Sequence, residues 1–157
     1  MSETIINGVR VSFEGPPELP LSVVLRESPA YDAPRNFFTV LLKNVSGQVK
    51  TLPFDEIRRN TITKCRNPTT AAEIVDNSTP PPKRDGAVEE LAPGETKSFQ
   101  VVFEYPPEIV TMKNRLTILH YCVEWKGEWL RKAAYAAGAY DWNESFELCR
   151  EIRIVED

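Results

Sequence analysis

Apolar and polar residues alternate along much of this chain with the period of two that marks a half-buried β-strand. "VRVSF" sets Val9, Val11 and Phe13 on one face and Arg10 and Ser12 on the other. "LSVVLRE" repeats the pattern with Leu21, Val23 and Leu25. "NFFTVLLKN" is more uniformly apolar, which predicts a central strand covered on both sides. It runs into the turn composition "NVSG", after which "QVKTLPF" predicts a partner strand. "LAPGETKSFQVVFEYPP" places Pro93-Gly94-Glu95 before alternating Phe99, Val101 and Phe103. Pro followed by Gly is type II turn chemistry, because the third turn position needs a positive φ. "RLTILHYCVEW" and "SFELCREIRIVE" complete the series. In the latter, Phe146, Leu148, Ile152 and Ile154 share a parity that Arg150 interrupts, which predicts a bulge or an exposed end.

Short strands, Pro/Gly turns and almost no helical periodicity predict an all-β fold: an Ig-like antiparallel β-sandwich of seven to eight strands in one domain over residues 1–157. One long Pro-rich loop is expected at about 66–93, where "NSTPPPKRDG" favours an extended, polyproline-like path. "LRKAAYAAGAY", residues 130–140, fits either a short helix or the return strand of a hairpin turning at Lys126-Gly127; the hairpin is preferred.

The one histidine, His120, stands two residues from Cys122. Both share a strand face with Ile118 and Glu124, opposite Leu119, Tyr121, Val123 and Trp125. Their Cβ atoms are then roughly 6–7 Å apart, too far for a direct hydrogen bond unless both side chains lean together. A mid-strand thiol also lacks the helix N-terminus or close cation that lowers a cysteine pKa, so packing outweighs catalysis here. Cys149 lies between Glu147 and Glu151 on the polar parity of its strand, and is expected to be exposed and unreactive. The three cysteines are widely spaced and odd in number, so no disulfide framework is expected. No Cys-x-x-Cys or His-x-x-x-His spacing offers a metal site, and no Gly-rich loop offers a phosphate site. Carboxylate pairs such as Asp55-Glu56 and Glu89-Glu90 read as solvated faces. The chain is therefore expected to be a non-enzyme with no metal and no cofactor.

A net charge of −4 gives no general attraction to nucleic acid or to an anionic membrane. The densest basic group, Arg58, Arg59, Lys64 and Arg66, is interrupted by Asn and Thr. No run approaches the ~18 apolar residues of a membrane helix. "MSETIINGVRVSFEG" lacks the basic start and apolar run of a secretory signal. A reduced, cytoplasmic setting is the resulting expectation. The sequons at Asn44, Asn77 and Asn143 are then without consequence.

Binding is expected in the connections of such a sandwich. Asn67, Pro68, Thr69 and Thr70 lead the long loop. Tyr140 and Trp142, beside Asp141 and Asn143, are the aromatic anchors, whereas Trp125 is expected in the core. Two resemblances bear on this. "FFTVLLKNVSGQVKTLPF" and "LAPGETKSFQVVF" resemble the bacterial intracellular proteinase inhibitor family, Ig-like sandwiches with an "L-x-N-x-S" strand end and a later "L-x-PGE" turn. The likeness covers about a third of the chain and implies the fold more than an activity. Asn67 to Thr70 also match the "NPTT" loop of the chagasin-like protease inhibitors. Ala71 stands where that family has Gly, and its Arg-Pro-Trp and Gly-rich loops are absent. The expected function is a protein-binding module, inhibitor or immunity-type, acting on a protein partner through loops at one end. The alternatives are an assembly module forming a homo-oligomer, and a carbohydrate- or small-ligand-binding module.

Overall fold

The structure, a computed structural model, describes residues 2–20, 38–66, 73–76, 88–101, 118–126 and 145–155. Among them are strands β1 (Glu3–Ile6), β2 (Val9–Glu14), β3 (Glu18–Pro20), β4 (Phe38–Asn44) and β5 (Lys50–Leu52). Helix α1 (Phe54–Asn60) follows, then β6 (Ile62–Arg66), β7 (Glu73–Asp76), β8 (Glu89–Leu91), β9 (Thr96–Val101), β10 (Ile118–Trp125) and β11 (Phe146–Val155).

The alternating segments become strands as their patterns require. β2 buries Val9, Val11 and Phe13 and joins a four-stranded antiparallel sheet in the order β1-β2-β4-β9. A five-stranded sheet runs β3-β11-β10-β6-β7, antiparallel except where β3 lies parallel to β11. Leu119, Tyr121, Val123 and Trp125 of β10 face one core with Phe146, Leu148 and Ile152 of β11. That core is shared with Phe38, Val40 and Leu42 of β4. The rings of Phe38 and Tyr121 meet edge-on between the two sheets, with centroids 5.3 Å apart, a preferred geometry for aromatic pairs. A third, two-stranded sheet pairs β5 with β8.

The fold is all-β, and it departs from the sequence expectation in several places. Eleven strands are described rather than seven or eight, because the unforeseen β1, β3, β7 and β8 have only three or four residues each. Segments that short carry no readable alternation. β4 is central, between β2 and β9, yet it is not covered on both sides: Lys43 is exposed and Thr39 and Leu41 are half-buried. β5 pairs with β8 and not with β4. The stretch expected as one loop at 66–93 contains β7, which pairs with β6, and β8. No bulge occurs at Arg150, whose pairing with Tyr121 continues the ladder. Its guanidinium instead reaches the other sheet, where Nη1 donates to the Phe13 carbonyl at 3.2 Å. The segments at 21–25 and 130–140, and Phe103, lie outside the described residues.

Helix α1 was not foreseen. Asp55 and Glu56 occupy its first turn and Arg58 and Arg59 its last, the arrangement that suits the helix dipole. Ile57 is buried, and Phe54 stacks edge-on against Phe99 with centroids 6.0 Å apart. Thr61 closes the helix, its N–H and hydroxyl both donating to the Ile57 carbonyl. The pair Asp55-Glu56 therefore splits. Asp55 bridges Arg58 and Arg59 at the surface, and these guanidiniums hold its carboxyl below the usual range. Glu56 is buried and accepts a hydrogen bond from the Asn60 amide one turn on, so the solvated reading fails for it.

Candidate functional site

Three turns meet at one end of the four-stranded sheet, and Asn44 joins two of them. The "N-x-S" of the β4 end and the "PGE" before β9 are 47 residues apart at the Asn44–Leu91 contact. Asn44 is fully buried. Its Nδ2 donates to the Gln48 carbonyl at 2.7 Å and the Leu91 carbonyl at 2.8 Å. Its Oδ1 accepts from the Ser46 N–H at 2.9 Å and the Ser46 hydroxyl at 2.7 Å. An asparagine side chain offers two donors and a two-lone-pair acceptor, so its capacity is filled. The backbone adds two more bonds: the Asn44 N–H donates to the Glu95 carbonyl and the Gly94 N–H to the Asn44 carbonyl, at 3.0 and 2.8 Å.

The second turn is the one expected at Pro93-Gly94. The Glu95 N–H donates to the Ala92 carbonyl at 2.9 Å, and Gly94 has φ of 80°. Glu95 also folds its carboxylate back to accept the Ala92 N–H at 3.0 Å, which gives the Glu of "PGE" a structural role. The third turn is Asn7-Gly8, both at positive φ, joining Ile6 to its pairing partner Val9. This is the two-residue hairpin chemistry of Asn-Gly. The Gly8 carbonyl accepts the Val45 N–H at 2.9 Å, tying this hairpin to the turn after Asn44. Within this fixed frame Val45 and Val49 remain exposed, at 40% and 53%. Sequence reasoning missed both valines and Asn7-Gly8. The signals were present: an Asn-Gly pair between alternating segments, and two apolar residues inside a polar turn composition.

The outer face of the five-stranded sheet carries the residues with chemistry. His120, Cys122 and Glu124 share it, as their parity predicts. Cys122 and Cys149, paired in register across β10 and β11, form a disulfide, with Cα atoms 4.0 Å apart. This corrects the expectation of reduced cysteines and of an exposed, unpartnered Cys149. Which residues face each other is set by register, and the register is fixed by tertiary pairing that spacing along the chain does not reveal. Beside the bridge Lys64 is buried, its Nζ 3.2 Å from Glu124 and 3.6 Å from Glu147. Burial and the neighbouring Glu147 push the Glu124 carboxyl up, against the pull of Lys64. Among the described residues no cluster of His, Cys, Asp and Glu could hold a metal ion.

Asn67, Pro68, Thr69, Thr70, Tyr140 and Trp142 lie outside the described residues. The strands that lead to them are described. Arg66 pairs with His120 toward the start of β10, whereas the chain from Trp125 to Phe146 leaves and re-enters at the end of β10. Trp125 is buried, as expected. Asn44, one of the three sequons, has no exposed amide to offer a modifying enzyme in the folded chain. No helix of the described residues is long and apolar enough to cross a membrane. Comparison with protein-family models, with curated proteins and with solved structures found no match.

Proposed function

We propose that this chain is a non-enzymatic, inhibitor-like protein-binding module that meets its partner through preformed turns at one end of an Ig-like sandwich. The observation that supports this reading is the Asn44 hub. It fixes the turns at 45–49 and 92–95 from within while leaving Val45 and Val49 exposed. A backbone already held in one conformation loses little freedom on binding, so more of the contact energy appears as affinity. Exposed apolar side chains on such a frame supply contact area without reordering. The assignment as a non-enzyme draws on the spending of the sole histidine and two cysteines at mid-strand positions. Asn67 to Thr70, Tyr140 and Trp142 remain proposed contacts beside the turn cluster.

The test is affinity capture from the native source with three proteins, each checked for folding by thermal melting. These are the intact chain, the Val45→Asp/Val49→Asp variant, and a chain with residues 67–70 alone replaced by a Gly/Ser linker, which leaves β7 in place. Loss of a partner in the valine variant alone supports the turn cluster. Loss only in the linker variant moves the contact to Asn67–Thr70, and retention by both sinks the turn-borne reading. A homo-oligomer is the second reading, favoured by Ile5, 59% exposed on edge strand β1. Mass that grows with concentration would support it. A cytoplasmic location belongs to the proposal as well. Disulfides there are usually transient or redox-sensing, which makes the behaviour of the Cys122–Cys149 bridge important.

A further inference from the structure

We infer that the Cys122–Cys149 bridge is a thiol-exchange site, opened in the folded protein by attack on the Cys149 sulfur, and that it takes neutral or cationic dithiols in preference to anionic ones. Three observations carry this beyond the binding function. The first is asymmetry of access. Cys122 is fully buried, whereas Cys149 is half-buried and lines a surface pocket of about 330 Å³ with Ser2, Arg150 and Glu151. A small thiolate can approach one sulfur and not the other. The second is that the bridge joins strands paired over eight residues in all, with ladder pairs both before and after it. Opening it leaves that ladder in place, so exchange does not require unfolding.

The third is local charge. On the face that carries the bridge, Glu147 and Glu151 flank Cys149 along β11, both exposed, and Glu124 and His120 flank Cys122 along β10. Lys64 lies one strand beyond Cys122 and is shared by Glu124 and Glu147. Arg150 also lines the pocket, but its guanidinium is engaged, donating to the Phe13 carbonyl. Along β11 the charged residues next to Cys149 on its own face are therefore the carboxylates Glu147 and Glu151, with Arg153 one step beyond Glu151, and these adjacent carboxylates repel an anionic reagent.

The chemistry balances as ordinary thiol–disulfide exchange. One thiolate of the dithiol bonds to the Cys149 sulfur, the S–S bond breaks, and Cys122 leaves as thiolate and takes up a proton. The second thiol of the reagent, as thiolate, attacks the reagent sulfur of the mixed disulfide. Cys149 is released and protonated in turn, and the reagent departs as a cyclic disulfide. Two electrons pass from dithiol to protein.

The experiment uses the folded full chain with dithiobutylamine (cationic), dithiothreitol (neutral) and dihydrolipoate (anionic), compared at equal thiolate concentration. Reduction is followed by intact mass, and folding by circular dichroism. The expected order is cationic, neutral, anionic, with about a tenfold spread at roughly 10 mM salt that shrinks to about twofold near 1 M. Glu151→Gln should narrow the low-salt spread, and acid-quenched mixed disulfide should map to Cys149. Reduction only after unfolding, adducts on Cys122, or rates indifferent to reagent charge and salt would overturn the inference. So would alkylation of both Cys122 and Cys149 before any reductant is added.

Discussion

The turn cluster at Asn44 and the outer face of the five-stranded sheet both bury polar groups, but they satisfy them in different currencies. Asn44 is neutral, and every donor and acceptor of its side chain meets a backbone or hydroxyl partner. The Lys64 face uses charge and a covalent bond: one ammonium serves two carboxylates beside a disulfide. The first arrangement holds no charge and no disulfide at its centre. The second holds a carboxyl raised by burial and a bridge that responds to thiols. The difference teaches where this molecule is built to stay fixed and where it is open to chemical change.

The comparison can be broken by substitution, and the largest effect is expected at the bridge. Cys122 and Cys149 are 27 residues apart in sequence, and replacing both by Ser should lower unfolding stability by about 3.5 kcal/mol, the loop-closure value for that span. Chemical denaturation reads this, and the loss should vanish when both proteins are measured in reductant. Asn44→Ala should cost about 3 kcal/mol, since it strands the Leu91 and Gln48 carbonyls and the Ser46 donors in a buried setting. That loss should be the same with and without reductant and nearly flat from pH 5 to 8.

Lys64→Met should cost a similar 3 kcal/mol near neutral pH, because it leaves two carboxylates close together without their cation. Here the sign of the pH dependence follows from Glu124, whose carboxyl is raised by burial and by Glu147. A raised carboxyl favours the folded state most when protonated, below its ordinary range of about 4.3. Stability is lost as pH rises through the raised folded value. The variant should therefore recover toward the parent as pH falls to about 4, because protonation removes the repulsion that Lys64 offsets. A gap that widens on acidification would contradict this reading of the face.

How far the sequence reveals these two regions differs for physical reasons. β2, β9, β10 and β11 were readable because one face of each meets the core and alternation records it. Parity separates the two faces of β10, and Trp125 is buried as expected, but parity does not say which face meets the core. Asn44 and Pro93-Gly94 were visible only as turn chemistry, since the contact that unites them spans 47 residues. The disulfide was invisible because parity gives a face, and register decides which residues on that face are opposite. Helix α1, at seven residues, is too short for a 3.6-residue period to stand out.

Smaller effects sharpen the account of the turns. Gly8 and Gly94 both hold positive φ, but a Cβ on Gly8 would sit 2.8 Å from Ser46 Cβ, whereas one on Gly94 meets open space. Gly94→Ala should cost about 1 kcal/mol, the left-handed penalty alone. Gly8→Ala should cost about 1 kcal/mol more, because the turn after Asn44 must shift to admit it. Equal losses would mean that the two turns are not packed together. Smallest of all, Asp55→Asn should cost about 0.5 kcal/mol, as expected for surface ion pairs. Asp55 has a lowered carboxyl, so the stability it adds is present above its ordinary range and is lost as pH falls through the lowered value.

Residue-resolved hydrogen exchange on the native chain, with and without dithiothreitol, tests the central contrast most directly. The N–H groups of Val45, Ser46, Gly94 and Glu95 should be protected far above open-loop rates and unchanged by reductant. The amides of β10 and β11 near Cys122 and Cys149 should exchange faster when the bridge opens yet stay well below open-loop rates, because the ladder persists without its covalent tie. Turn amides that exchange like an open loop, or that lose protection together with β10 and β11, would contradict the account.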